Sequence, residues 1–280
     1  MPSAADLAAF RAFADALADA ARAAILPHFR ADVAITAKDG PRGGFDPVTA
    51  ADHAAEQSIR RLIEERYPDH GIIGEEFGEK PARSPYRWVL DPIDGTRAFI
   101  AGLPLWGVLI GLTFENRPIL GVIDQPYIGE RFLGWTTAGA RGATLTTAAG
   151  AAPLKTRACE TLTNAIIATT DAKLFDGAEA GGFEQVRQTA KLARYGCDCY
   201  AYAMVALGGI DLVIESGLAP WDVAALVPVI EGAGGEVTDW RGRALTPDFF
   251  AQPNARAQIV AAGDPRPRDE ALVALRRAAK

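Results

Sequence analysis

Trp88-Val89-Leu90-Asp91-Pro92-Ile93-Asp94-Gly95-Thr96 decides how this chain reads. The apolar triplet Trp88 to Leu90 predicts a buried strand, and that strand delivers two carboxylates separated by two residues. Pro92 stiffens the link between Asp91 and Asp94. Gly95 permits close backbone approach, and Thr96 supplies a hydroxyl where a short helix can begin. Carboxylates at a strand end suit a hard, oxygen-seeking cation such as Mg²⁺, and free N–H groups at a helix start suit a phosphate oxygen. Metal ligands beside an anion cradle imply phosphoryl chemistry. Asp-Pro and Asp-Gly are also ordinary turn dipeptides, so the weight of this reading comes from the rest of the chain.

Three further acid-bearing segments sit at element ends. Gly74-Glu75-Glu76 follows the apolar pair Ile72-Ile73, and Asp46-Pro47-Val48-Thr49-Ala50-Ala51-Asp52 precedes an amphipathic helix. Trp221-Asp222-Val223-Ala224-Ala225 opens an apolar helix far downstream. Solvated turns explain such a set poorly. Together, and followed by Glu231-Gly232-Ala233-Gly234-Gly235, these segments resemble the inositol monophosphatase superfamily of Mg²⁺-dependent phosphomonoesterases, in the family's order. Thr96-Arg97-Ala98-Phe99-Ile100-Ala101-Gly102-Leu103-Pro104, then Trp106-Gly107, is similar to its histidinol-phosphatase branch. So is Gly196-Cys197-Asp198-Cys199-Tyr200-Ala201-Tyr202, with Cys199 a small departure.

The resemblance implies an α+β chain folded as a layered α-β-α-β-α sandwich of the sugar-phosphatase type, with the site between its halves. Carried over by position, it makes Glu75, Asp91 and the Ile93 carbonyl ligands of one Mg²⁺, and Asp91, Asp94 and Asp222 ligands of a second. A weaker third ion would lie near Glu75, giving two or three ions per site. Thr96 paired with Asp46, together with Glu75, forms the implied catalytic set that orients the attacking water. The N–H groups of Gly95 and Thr96 would hold phosphate oxygens. Asp198 and Glu215 would read the alcohol part of the substrate, and Arg97 would contact phosphate or pair with one of these acids. Thr49 and Asp52 read as a helix cap, and Glu76 as a supporting group because neighbouring side chains on an extended strand end point opposite ways.

The implied reaction is hydrolysis of histidinol phosphate to histidinol and phosphate, a step of histidine biosynthesis. Histidinol phosphate carries an ammonium group and an imidazole, so acids in its pocket make electrostatic sense. The alternative is an inositol-1-phosphate or broad-specificity phosphomonoesterase. A catalytically silent, ligand-binding member of the fold would be expected to have lost Thr96, Asp46 or a ligand carboxylate, and all are present.

Composition agrees with a globular enzyme. The 280 residues are 49% hydrophobic and 23% charged. A formal net charge of −6 argues against a nucleic-acid or anionic-membrane partner, and no basic cluster suited to a second phosphate shows along the chain. Cys159, Cys197 and Cys199 form no disulfide framework and no zinc spacing, which suits a reducing cytoplasm. His28, His53 and His70 fall singly on expected helix or loop surfaces. No apolar run approaches membrane-spanning length. A homodimer follows from the resemblance and from the apolar Leu103 to Trp106 segment.

The pattern of elements changes near the middle. Residues 33 to 45 read as a loop or short hairpin, with Lys38-Asp39-Gly40 as its turn. A hairpin is expected around Glu115-Asn116-Arg117-Pro118, and antiparallel strands at Arg131 to Trp135 and Ala143 to Thr146. Thr147 to Pro153 reads as a boundary between an N-terminal α+β subdomain (1–150), carrying most metal ligands, and a C-terminal α/β subdomain (151–280), carrying Asp222 and the substrate-reading residues. In the second half, strands are expected at 165–168, 211–214 and 236–238. Helices are expected at 183–192, 200–207, 221–231 and from about Arg268.

Overall fold

The computed structural model describes residues 1–31 and 48–280 in full and the backbone of 35–39 and 45–47. An eight-stranded sheet runs in the spatial order Gly150–Pro153, Arg141–Thr147, Glu130–Thr136, Arg117–Gln125, Gly107–Phe114, Tyr86–Asp94, Gly71–Gly74, Gly78–Lys80. All neighbours pair antiparallel except Gly71–Gly74 with Tyr86–Asp94, which are parallel. A five-stranded sheet runs Leu192–Tyr195, Ile166–Thr169, Leu212–Leu218, Ala257–Ala262, Glu236–Thr238.

Side-chain alternation along the strands sorts residues into layers. Trp88, Leu90 and Ile110 face outward onto the helices Ala4–Ile25 and Ala50–Arg66, where they meet Leu17, Ala55 and Ile59. Val89, Leu109 and Ile123 face inward, packing with Tyr202 and Val229 from the helices Asp198–Leu207 and Leu226–Gly232. The inner face of the second sheet, with Val213, Ile259 and Ala261, covers those helices from the other side. Its outer face, with Leu212, Ile214 and Val260, buries Phe183, Val186 and Leu272 of the helices Gly177–Thr189 and Pro265–Leu275. The expected α-β-α-β-α layering is therefore what the chain forms.

The middle helices sit directly on backbone. A β-carbon at Gly121 would overlap the Ala225 carbonyl, and one at Gly134 would overlap the Pro228 carbonyl. Those two glycines let the segment after Asp222 press flat against the first sheet.

Several boundaries differ from the sequence reading. Thr147 to Pro153 is an edge hairpin of the first sheet, Gly150 pairing with Thr147, so a break at 150 cuts a strand and the chain leaves this sheet only after Pro153. The turn at 115–116 contains only Glu115 and Asn116, both at positive φ; Arg117 and Pro118 already belong to the strand. Pro118 sits at a register shift, which spares the sheet its missing N–H. The helix expected from 183 starts at Gly177, because Asp176 and Glu179 form a capping box, and Leu192 begins a strand. The 221–231 segment is two short helices, Pro220–Val223 and Leu226–Gly232. The strand Ala257–Ala262 and the helix Pro247–Ala251 had no expectation at all. The 33–45 region forms two paired strands, Ile35–Asp39 and Phe45–Thr49, while the Gly40 turn position lies outside the described residues.

His70 is buried rather than exposed. It stacks between Tyr67 and Tyr86 and accepts a hydrogen bond from Trp88 Nε1 at 3.2 Å. Burial pushes its pKa down to about 4, helped by Lys80, so it serves as a neutral core ring. Trp106 is also fully buried, against Phe29 and Phe99, and only Leu103 of the expected dimer patch is exposed.

Candidate active site

The strand Tyr86–Asp94 runs with regular pairing up to Asp91, which opposes Leu109; the next pair joins Asp94 to Gly107. Three steps on one strand thus match two on the other. Strict alternation would aim residues three apart to opposite faces, and this bulge turns Asp91 and Asp94 to the same side. Gly95 follows at φ +88° and starts the short helix Thr96–Ile100. Only a residue without a β-carbon fits there, since the Asp198 side chain lies 3.0 Å from where one would stand.

Asp222 arrives from the other half of the chain on the helix Pro220–Val223, whose first turn it caps by accepting the Ala219 N–H at 2.7 Å. Carboxylate oxygens of Asp91, Asp94 and Asp222 all lie within 4.8 Å of one another. Burial, then the charges of Glu75, Asp94 and Asp222, pushes the Asp91 pKa well above the carboxylate range. Burial and Asp198 push Asp94 to about 8, and burial and Asp94 push Asp222 to about 8. Asp91 Oδ1 is buried without a hydrogen-bond partner among the described residues. Such clustering, with an unsatisfied oxygen, fits a divalent cation that takes oxygen ligands.

Glu75 stands outside that tight cluster, but its charge acts on Asp91. Its loop is held by Glu56, a fully buried residue that sequence reading missed. The Glu56 carboxylate accepts the N–H groups of Glu76 at 2.8 Å and Phe77 at 3.1 Å and the Arg60 Nε–H at 2.7 Å. An arginine four residues after a glutamate on one helix face was the available signal, though it marks a salt bridge and not its far partner. Glu76 keeps its side chain buried within 3.3 Å of His53 Nε2. Thr49 and Asp52 form the expected capping box, with the Asp52 carboxylate accepting the Thr49 N–H and hydroxyl.

The Thr96 hydroxyl donates to the Ile93 carbonyl at 3.0 Å, which leaves that oxygen a second lone pair. The Asp46 side chain lies outside the described residues, so its pairing with Thr96 does too.

A cavity of about 160 Å³ is lined by Asp94, Asp198, Glu215 and Asp222 together with Thr170, Leu174 and Tyr202. Glu215 is buried and fully engaged. It accepts from the Thr170 N–H at 2.8 Å, the Thr170 hydroxyl at 2.6 Å and the Tyr202 hydroxyl at 3.0 Å. Asp198 sits at φ +44°, and its carboxylate accepts no hydrogen bond among the described residues. Burial and Glu215 push its pKa to about 7, against a lowering pull from Arg97. Arg97 itself is exposed, 3.8 Å from Asp171. The structure thus brings Asp94, Asp198, Glu215 and Asp222 around one space, with Asp91 beside it in the cluster with Asp94 and Asp222. Thr170, which anchors Glu215, carried no legible signal in sequence, and Tyr202 appeared only as the end of the Gly196 to Tyr202 segment, without this role.

Residues 6–280 match the model of the inositol monophosphatase family. The chloroplastic bifunctional phosphatase IMPL2 of Arabidopsis thaliana is 44% identical over 273 residues, covering 96% of this chain and 76% of that protein. A histidinol-phosphatase of Chlorobaculum parvum is 39% identical over 198 residues, 70% of this chain and 74% of its own. The structure of an inositol monophosphatase from Zymomonas mobilis superposes with a TM-score of 0.83 at 38% identity, covering 98% of this chain and all of that one. With a family match across nearly its whole length and an acidic site assembled from both halves, the chain belongs to the inositol monophosphatase family and is a phosphomonoester hydrolase.

Proposed function

We propose that the protein is a Mg²⁺-dependent histidinol-phosphate phosphatase acting in histidine biosynthesis. The observation that carries this reading is Asp198, a carboxylate with no hydrogen-bond donor of its own among the described residues, facing the cavity beside Asp94. A cationic alcohol such as histidinol would supply the missing donor, and an ammonium beside two acids offsets their mutual repulsion. The 39% identical histidinol-phosphatase of Chlorobaculum parvum agrees with it. Glu215 would set the field of the pocket rather than touch substrate directly, because its oxygens already serve Thr170 and Tyr202.

Asp91, Asp94 and Asp222, with Glu75 and the Ile93 carbonyl, would hold two or three Mg²⁺ ions. Bound Mg²⁺ supplies Lewis acidity and charge neutralisation toward the phosphate. Thr96 would hold the attacking water through its hydroxyl oxygen while its own proton rests on Ile93, and Asp46 enters this role on sequence grounds. A threonine hydroxyl is too weak a base to act alone. Gly95 and Thr96 would present main-chain N–H groups to phosphate oxygens, and Arg97 would sit at the mouth. We place the enzyme in the cytoplasm as a homodimer, with exposed Leu103 in the interface; a monomeric mass at micromolar concentration would end the latter idea.

Hydrolysis of inositol 1-phosphate is the second reading, supported by the 38% identical Zymomonas mobilis inositol monophosphatase. The deciding measurement is kcat/KM for histidinol phosphate against inositol 1-phosphate at saturating Mg²⁺. The first is expected to exceed the second by at least about a hundredfold. Equal values would replace the proposal with a broad-specificity monoesterase, and no turnover of either would leave a silent binding protein.

A further inference from the structure

A larger cavity, about 910 Å³, opens next to the acidic one and has the opposite charge. Leu174 lines both. Among the described residues, Arg97, Lys173, Arg241, Arg243, Arg256 and Lys280 face it, against the two acids Asp171 and Asp239. That excess of cations in a chain of net charge −6 corrects the reading that no basic cluster exists: residues 97 to 280 converge only in three dimensions.

Some of these charges are neutralised locally. Arg243 pairs with Asp239 at 2.7 Å, and Lys280 with Glu179 at 2.9 Å. Arg241 and Arg256 are different. Arg241 donates to the Ala279 carbonyl at 3.1 Å, and Arg256 donates to the carbonyls of Pro253 and Ala255 at 3.1 and 2.8 Å. Neither forms an ion pair among the described residues. Main-chain carbonyls position a guanidinium without cancelling its charge, so both stay preset for an anion, although Arg256 also lies over the Trp221 ring at 5.5 Å and its charge reaches Asp222. Leu174, Leu245 and Ala257 add apolar surface to the same cavity, with the buried Trp240 and Phe249 behind it, and its volume lies in the range of small-molecule sites.

We propose that this cavity is a second ligand site, adjoining the phosphate-hydrolysing one along Arg97 and Leu174, that takes an organic polyanion with an apolar body. Lys173, Arg241 and Arg256 hold its charged groups, and the Leu174, Leu245 and Ala257 surface holds its body. The proposal does not depend on which phosphomonoester the enzyme hydrolyses.

Naphthalene disulfonate is a suitable probe, because it combines a flat apolar body with two fixed charges and cannot be hydrolysed as a phosphate ester. Titration calorimetry on the full chain with Mg²⁺ at fixed ionic strength reads the binding, and the cavity variants assign it to the second cavity. One saturable site is expected, weakened by about tenfold or more in the Lys173→Gln/Arg241→Gln double variant and again in Arg256→Gln. Binding should fall as salt rises, and neutral dihydroxynaphthalene should bind about tenfold more weakly. Lys173 and Arg241 are exposed, so the double variant should keep its melting temperature and hydrolyse p-nitrophenyl phosphate at a rate within about twofold of the parent. Absence of a saturable site, or binding by both variants equal to that of the parent, would each overturn the proposal.

Discussion

Asp94 accepts the backbone N–H of Cys199 at 2.5 Å, a bond that ties the end of the first sheet to the helix Asp198–Leu207 across 105 positions of sequence. The same carboxylate belongs to the acidic cluster. One oxygen therefore anchors the segment that carries Asp198, while the group as a whole faces Asp91 and Asp222. In the proposed site, metal binding and pocket geometry would meet at this residue, which shapes how each can be tested.

The acidic cluster should make the metal-free protein unusually sensitive to alkali. Asp94 and Asp222 have values near 8 in the folded chain against 3.8 in an open one, so the folded state keeps protons that the unfolded state has lost. This contribution to stability is complete below about pH 4 and is lost as pH rises through about 8. In chelator, wild type should lose melting temperature between about pH 5 and pH 9 more steeply than Asp222→Asn, and Mg²⁺ should remove the difference. Parallel pH profiles for the two proteins in chelator would show that no such repulsion exists. Asp91→Asn should abolish turnover and Mg²⁺-dependent stabilisation together.

Thr96 and Asp46 are expected to work as a unit on the attacking water. Thr96→Ala and Asp46→Asn should each lower kcat by about a hundredfold or more, and the double variant should lose little beyond either single one. Additive losses would mean that the two act on separate steps.

Asp198→Asn should act on specificity. Loss of an ion-paired hydrogen bond in a partly buried pocket costs about 2 kcal/mol or more, so kcat/KM for histidinol phosphate should fall roughly thirtyfold. Glycerol 2-phosphate, which carries no cation, should be turned over almost as before, with unchanged Mg²⁺ affinity. Equal losses on both substrates would assign Asp198 to the architecture of the Gly95 turn, which its side chain also covers.

Gly121→Ala tests the packing that delivers Asp222. The added methyl would strike the Ala225 carbonyl, so the helix pair after Asp222 must lift from the sheet. A loss of about 1–3 kcal/mol in stability is expected from overpacking, with a fall in Mg²⁺ affinity because Asp222 moves with the helix. An unchanged melting temperature would show that the middle layer has slack.

Legibility in the sequence followed range. The capping box of Thr49 and Asp52, the apolar strand before Asp91 and the hairpin at Glu115 are local, and their signals lie within a few residues. The strand Ala257–Ala262 escaped because both its faces are buried, so its residues show no alternation to distinguish a strand from a buried helix turn. His70 escaped because a histidine near a loop reads as surface until Tyr67, Tyr86 and Trp88 close around it.

The sequence by itself determined the chemical character of the protein: carboxylates at strand and helix ends, the glycine that lets the chain turn after Asp94, and a family order that spans both halves. Those are properties of short segments, set by side-chain chemistry and local backbone preference. Only the tertiary structure decided which acids are shared and which are spent. The bulge that turns Asp91 and Asp94 to one side, the engagement of Glu215 by Thr170 and Tyr202, and the gathering of Arg97, Lys173, Arg241 and Arg256 around one cavity all depend on contacts between distant segments. A carboxylate's role depends on what neutralises or solvates it, and those partners are chosen by packing, not by sequence neighbours.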